Sequence, residues 1–153
     1  MGTISNKLEE LGIVIPHAPA PVASYVSVIR MGNVVVTSGQ LPWLGDSLLH
    51  QGRLGEQLDE QQGYESARVC AINALAQIRA EAGDLEKITQ IVRLEGYVHS
   101  APGFRGQPQV LNGASDLMNE IFEDAGRHTR TALGISEMPL DAPVQLCVWA
   151  EVE

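Results

Sequence analysis

A chain of 153 residues with 44% hydrophobic and 19% charged side chains suits one domain built on one core. Its formal charge of −9 and pI near 4.8 oppose attraction to phosphate backbones, and no Lys/Arg cluster supplies a local exception, so nucleic acid is not an expected partner. No apolar run approaches the roughly 18 residues of a membrane span, and the start lacks the charged and apolar blocks of a signal peptide; the expectation is a cytoplasmic protein with no membrane partner.

Residues 1–22 mix a short amphipathic beginning with Pro16, Pro19 and Pro21. Prolines so spaced cannot donate to a sheet and favour an extended arm, which leaves residues 23–153 as the single domain. From Tyr25 to Pro42 the chain reads as a hairpin, two β-rich runs flanking Gly32-Asn33, with the second run stopping at Ser38-Gly39. At Gly39 the missing Cβ lets a ligand approach the main chain. Gly45 to Gly55 is a polar connection, and the acidic run Glu56 to Glu65 suits the start of a helix. Within Gln57 to Ala82, residues Ala67, Cys70, Ala71, Ala74, Leu75 and Ile78 recur at helical spacing, and Gly83-Asp84 ends the element.

Ile88 to His99 is β-rich, and strict alternation places Val92, Leu94 and Val98 on one face with Ile91, Arg93, Glu95 and Tyr97 on the other. A second helix is expected over Pro108 to Ala125, striped by Val110, Ala114, Leu117, Met118 and Ile121 and closed by Gly126. Two strands follow, Arg130 to Ser136 and Val144 to Val152. The order is β-β-α-β-α-β-β, an α+β protein in which two helices cover one face of a single mixed sheet. Cys70 and Cys147 lie far apart with no Cys-x-x-Cys pairing, so both are expected as thiols rather than as a disulfide or metal site. Cys147 and Trp149 on the outer face of the last strand need a cover. Either the N-terminal arm or another copy of the chain can supply it.

Chemistry concentrates in two segments. Arg130 sits in Thr129-Arg130-Thr131-Ala132-Leu133-Gly134-Ile135, ahead of Met138-Pro139, and its planar guanidinium can grip a carboxylate with two hydrogen bonds. The other segment is Thr37-Ser38-Gly39-Gln40 at the hairpin's end. Together they resemble the RidA (YjgF/YER057c/UK114) family, whose pattern has a strand ending in Thr-Ser-Gly-Gln and a later Arg-Ser/Thr strand before a Leu-Pro-like turn. The resemblance runs from about Tyr25 to Val152. It implies the chorismate-mutase-like fold, a homotrimer with ligand sites in clefts between subunits, and no cofactor.

Carried over by position, the resemblance makes Arg130 the carboxylate anchor of a 2-imino or 2-keto acid, with Ser38, Gly39 and Thr131 beside it. Tyr25 becomes an aromatic that closes the pocket across the subunit boundary, and Asn112 the helix asparagine, with Ser115 competing for that place. Each has a plainer reading: Ser38 as a strand-end cap, Gly39 as a turn residue, Tyr25 as a core aromatic. The chain also departs from the deaminating members, which have Arg-Ser-Cys where Arg130-Thr131-Ala132 stands and a glutamate where counting from Arg130 reaches Gln145. An amide can orient water but cannot take its proton. His128, two residues before Arg130, is either a substitute base or an ordinary loop residue. Three functions are therefore weighed: a RidA-like hydrolase of reactive imines with Gln145 placing water, a non-catalytic trimer that binds a small carboxylate, and, against the charge balance, an endoribonuclease.

Overall fold

The computed structural model describes residues 2–21 and 23–153. The expected boundary between arm and domain, at residue 22, falls outside the described residues. Strands β1 (Val28–Met31) and β2 (Val34–Thr37) form the hairpin, with Met31 opposite Val34 across the turn at Gly32-Asn33. Gly32 takes φ +61 there, a conformation that costs a residue without a Cβ nothing. Strand β2 then pairs with β7 (Val144–Val152), β7 with β5 (Ile88–His99), and β5 in parallel with β6 (Thr129–Ile135), giving one mixed five-stranded sheet in the order β1-β2-β7-β5-β6. An additional two-stranded hairpin, β3 (Trp43–Leu44) with β4 (Ser47–Leu48), lies where the sequence suggested only a polar connection. Buried Asn73 pins it, donating to the carbonyls of Leu41 at 3.0 Å and Trp43 at 3.1 Å.

Helices α2 (Glu60–Ala82) and α3 (Gln107–Phe122) cover one face of the sheet. The start of α2 is at Glu60 rather than Gln57, because Asp59 and Gln62 form a reciprocal cap and the Gln57 side chain accepts from the Arg53 N–H in the loop before it. Helix α3 stops at Phe122, and a 3-10 turn over Glu123–Gly126 completes the stretch expected to be helical. The two helices approach so closely that a Cβ at Gly113 would stand 2.0 Å from the Tyr64 carbonyl oxygen. Leu75, Ile78, Leu94, Leu111, Leu117 and Leu146 are wholly buried between helices and sheet. Each such side chain contributes about 1.5–3 kcal/mol relative to exposure.

The expected alternation along β5 is broken by two register slips. Ile91 is in the core and Val92 is turned out, the reverse of the faces read from the sequence. The pairing of β5 with β7 slips between Ile88 and Gln90 and again between Ile91 and Arg93. Each slip inserts an unpaired residue and restarts the alternation on the other side.

At the N-terminus, α1 (Thr3–Glu10) precedes an extended run held against α2. Gln77 donates to the Pro19 carbonyl at 2.9 Å, and Arg79 donates to the carbonyls of Pro16 at 2.7 Å and Ile15 at 3.2 Å. These bonds lie on the helix side of the sheet. The arm therefore does not supply the cover for Cys147 and Trp149. Among the described residues no helix is long and apolar enough to cross a membrane.

Candidate functional site

Strand β6 forms one edge of the sheet, and its parallel register sets Arg130 beside Leu94, a wholly buried residue under the helices. Arg130 therefore emerges on the helix face, at an open edge next to α3. Asn112, Ser115 and Asn119 recur at three- and four-residue spacing along α3, on the side turned to this edge. The Arg130 Nη1 donates to Asn112 Oδ1 at 2.8 Å and to Ser115 Oγ at 3.2 Å. Both acceptors are neutral. A cleft of about 330 Å³, lined by Ser115, Asn119, Arg127, His128 and Arg130, opens beside the guanidinium.

His128 joins the same network. Its Nε2 lies 2.8 Å from Ser115 Oγ and its Nδ1 2.6 Å from the Gly126 carbonyl oxygen. A carbonyl only accepts, so Nδ1 carries a proton, and in the neutral ring Nε2 accepts from the Ser115 hydroxyl. The serine oxygen then remains free to accept from Arg130. Donation runs in one direction, from Arg130 through Ser115 and His128 to the Gly126 carbonyl, and each group in the line has a partner.

A second group of residues gathers on another part of the molecule. Tyr25, half exposed, and Gly39 line a cavity of about 450 Å³ together with Leu41, Trp43, Gln77 and Leu140. A Cβ at Gly39 would stand 2.1 Å from Gln145 Oε1, so any larger residue there requires the Gln145 side chain to swing aside. The Gln145 amide nitrogen approaches the Met138 sulfur at 3.8 Å. Leu140 reaches the cavity from a turn in which Leu140 and Asp141 both take positive φ, 59 and 54. The Ser38 hydroxyl donates to the Val26 carbonyl at 2.6 Å, fastening the strand end as a cap does.

The structure thus brings Arg130 together with Asn112, Ser115 and His128, and Gly39 with Tyr25 and Gln145. It does not bring the two sets together within one chain. Thr131 joins neither, since it points to the outer face and accepts from Arg93, which also pairs with Glu95. On that face the Cys147 thiol is pushed up to about 11, by burial first and then by the Glu95 carboxylate. Cys70 is fully buried and burial raises it as well. Arg127, Asn119, Trp43 and Leu140 were not read from the sequence as lining residues. Only Asn119 had a local signal, its helical spacing from Asn112 and Ser115.

The family model described as "YjgF/chorismate mutase-like, putative endoribonuclease" matches residues 5–152. The chain belongs to the YjgF (RidA) family. Protein TCP17 of Trypanosoma cruzi is 38% identical over 152 residues, covering 99% of this YjgF-family chain and 95% of the relative. Among solved structures, Atu1372 of Agrobacterium tumefaciens, described as of unknown function, superposes with a TM-score of 0.92 at 37% identity, over 99% of this chain and 93% of that one. A protein of Shewanella oneidensis described as a putative endoribonuclease superposes with a TM-score of 0.95 at 36% identity, over 99% and 100% of the two chains. E. coli TdcF with bound serine shares the fold at a TM-score of 0.66 and 19% identity, over 90% of this chain and 94% of TdcF. The architecture is accordingly the α+β, chorismate-mutase-like fold of the YjgF family.

Proposed function

We propose that this protein is a RidA-like hydrolase of reactive 2-imino (enamine) acids, working in clefts shared between copies of the chain. One observation carries the reading: Arg130 opens onto a cleft with only neutral oxygens on its Nη1, and among the described residues no carboxylate pairs with it. Nε and Nη2 remain for a substrate carboxylate, a charge-assisted bidentate grip. Serine bound to TdcF is consistent with small amino-acid-like ligands on this fold.

Assembly is supported by the outer face of the sheet. Ile29, Met31 and Leu133 stand 61%, 71% and 53% exposed on the same side as Trp149 and Cys147. An apolar surface of this kind favours burial against further copies, the homotrimer of the sequence reading. In such an assembly the Tyr25–Gly39–Gln145 group of one copy meets the Arg130 cleft of the next. Gln145 then orients water toward the imine carbon through its carbonyl, and water and substrate are held in attacking position. The reaction converts R–C(=NH2⁺)–COO⁻ and water to the 2-keto acid and ammonium, and calls on no cofactor.

The test is ammonia release from 2-iminopropanoate generated in situ. Wild type faster than buffer and Arg130→Ala at the buffer rate supports the hydrolase, whereas equal rates for all three sink it. A non-catalytic carboxylate-binding oligomer is the second reading, favoured by Gln145 standing where a carboxylate base is expected. It predicts Arg130-dependent thermal protection by keto acids without turnover. Endoribonuclease activity is disfavoured by the formal charge of −9.

A further inference from the structure

An amide at position 145 leaves the attacking water without a proton acceptor, and losing such a base costs about 10²- to 10⁴-fold in rate. We infer that the Ser115–His128 pair is that acceptor, built into the Arg130 half of the cleft; the inference rests on the imine-hydrolase reading of that cleft.

The geometry has the parts a proton relay needs. Ser115 Oγ lies 3.2 Å from the guanidinium that anchors the substrate and 2.8 Å from His128 Nε2. The Gly126 carbonyl, 2.6 Å from Nδ1, holds the ring in the tautomer whose Nε2 has a lone pair for the serine proton. Nucleophile-activating pairs share this arrangement of hydroxyl, imidazole and a third group that orients the ring. The carboxylate carbon held by Arg130 is bonded directly to the imine carbon, so the attacked atom lies a single bond beyond the anchored group. The charged groups facing His128 in the cleft are Arg130 and Arg127.

The step balances. Water oxygen bonds to the imine carbon as the C=N electron pair moves to nitrogen. The water proton passes to Ser115 Oγ while the serine proton moves to His128 Nε2, giving a carbinolamine and an imidazolium. The proton then returns through Ser115 to the amine. The carbinolamine oxygen closes the C=O bond and passes its proton through Ser115 to His128 as the C–N bond breaks with its electron pair leaving on nitrogen. The keto acid and ammonia separate, and the proton left on His128 goes to ammonia to give ammonium. In this scheme Ser115 touches the reacting water and His128 acts through it.

The experiment is the pH–rate profile of ammonia release from 2-iminopropanoate for wild type, His128→Gln and Ser115→Ala, alongside thermal protection by pyruvate. The expected result is a wild-type rate that falls on the acid side as the imidazole takes up its proton, and a loss of about 10²- to 10⁴-fold in His128→Gln with that limb abolished. Pyruvate should still protect both variants, and free imidazole in the buffer should partly restore His128→Ala. A wild type that turns over while His128→Gln keeps both rate and acid limb overturns the relay and leaves the hydrolase standing. Loss of pyruvate protection in parallel with rate also overturns it, since His128 would then only support the cleft. A wild type without turnover overturns relay and hydrolase together.

Discussion

Arg130 and Gln145 face opposite sides of one sheet. Arg130 lies in register with Leu94 beneath the helices, Gln145 lies in register with Tyr97 on the outer face, and β5 runs between their strands. The pair that the family pattern assigns to one pocket therefore cannot meet inside a single chain. The proposed cleft between copies would bring them together across a subunit boundary.

If the cleft is shared, damage to its two halves should complement. Arg130→Ala and Tyr25→Ala proteins are each expected to be inactive alone, while their co-expressed mixture recovers about a quarter of the wild-type rate, the fraction of clefts that random mixing leaves intact on both sides. Tyr25 is half exposed, so its truncation leaves the core untouched. Absence of any recovery in mixed oligomers would separate the two cavities functionally.

Arg130→Lys keeps the charge and loses the planar fork. Weakening of pyruvate protection by roughly tenfold or more is expected, equivalent to about 1.4 kcal/mol, measured as the concentration that half-saturates the thermal shift. Full affinity in the lysine variant would mean that the carboxylate is recognised by charge alone.

Gly113→Ala tests the helix layer. Its Cβ would stand 2.0 Å from a main-chain oxygen of α2, which cannot swing aside as a side chain does, so a loss of about 1–3 kcal/mol in urea unfolding is expected. A neutral outcome would mean that α2 and α3 separate more readily than their packing suggests.

For Cys147 the sign follows from its raised pKa, from an ordinary 9.0 to about 11. Above about 9 the unfolded chain ionises this thiol while the folded chain holds it neutral, so stability fully present at lower pH drains away as pH rises through that window. Urea midpoints of wild type should fall more steeply across it than those of Cys147→Ala. Cys70, also raised by burial, leaves a residual slope in the variant. Identical slopes would place the Cys147 thiol in a more solvated setting.

Much of the fold was legible because local periodicity and sheet burial agree. Along β7 the residues Val144, Leu146, Val148, Ala150 and Val152 are all buried, as their alternation foretells, and the apolar stripes of α2 and α3 face the sheet as their spacing requires. Legibility ended where a single unpaired residue changes the phase. The slips near Thr89 and Val92 are invisible to a pattern that assumes unbroken alternation, and they exchange the faces of Ile91 and Val92. The β3–β4 hairpin escaped notice because two-residue strands carry no period, and its anchor, Asn73, sits on a distant helix.

The sequence by itself determined the elements, their order, and the presence of an arginine and a glycine suited to a small acid, since each depends on residue type and short-range spacing. Which face Arg130 takes was decided only by the parallel register of β6 on β5, where a shift of one residue would turn it outward. The meeting of Ser115 with His128 was likewise a tertiary decision, made by the rotation of α3 against the sheet edge. Such long-range contacts arise from packing the whole core, and no window of neighbouring residues contains them.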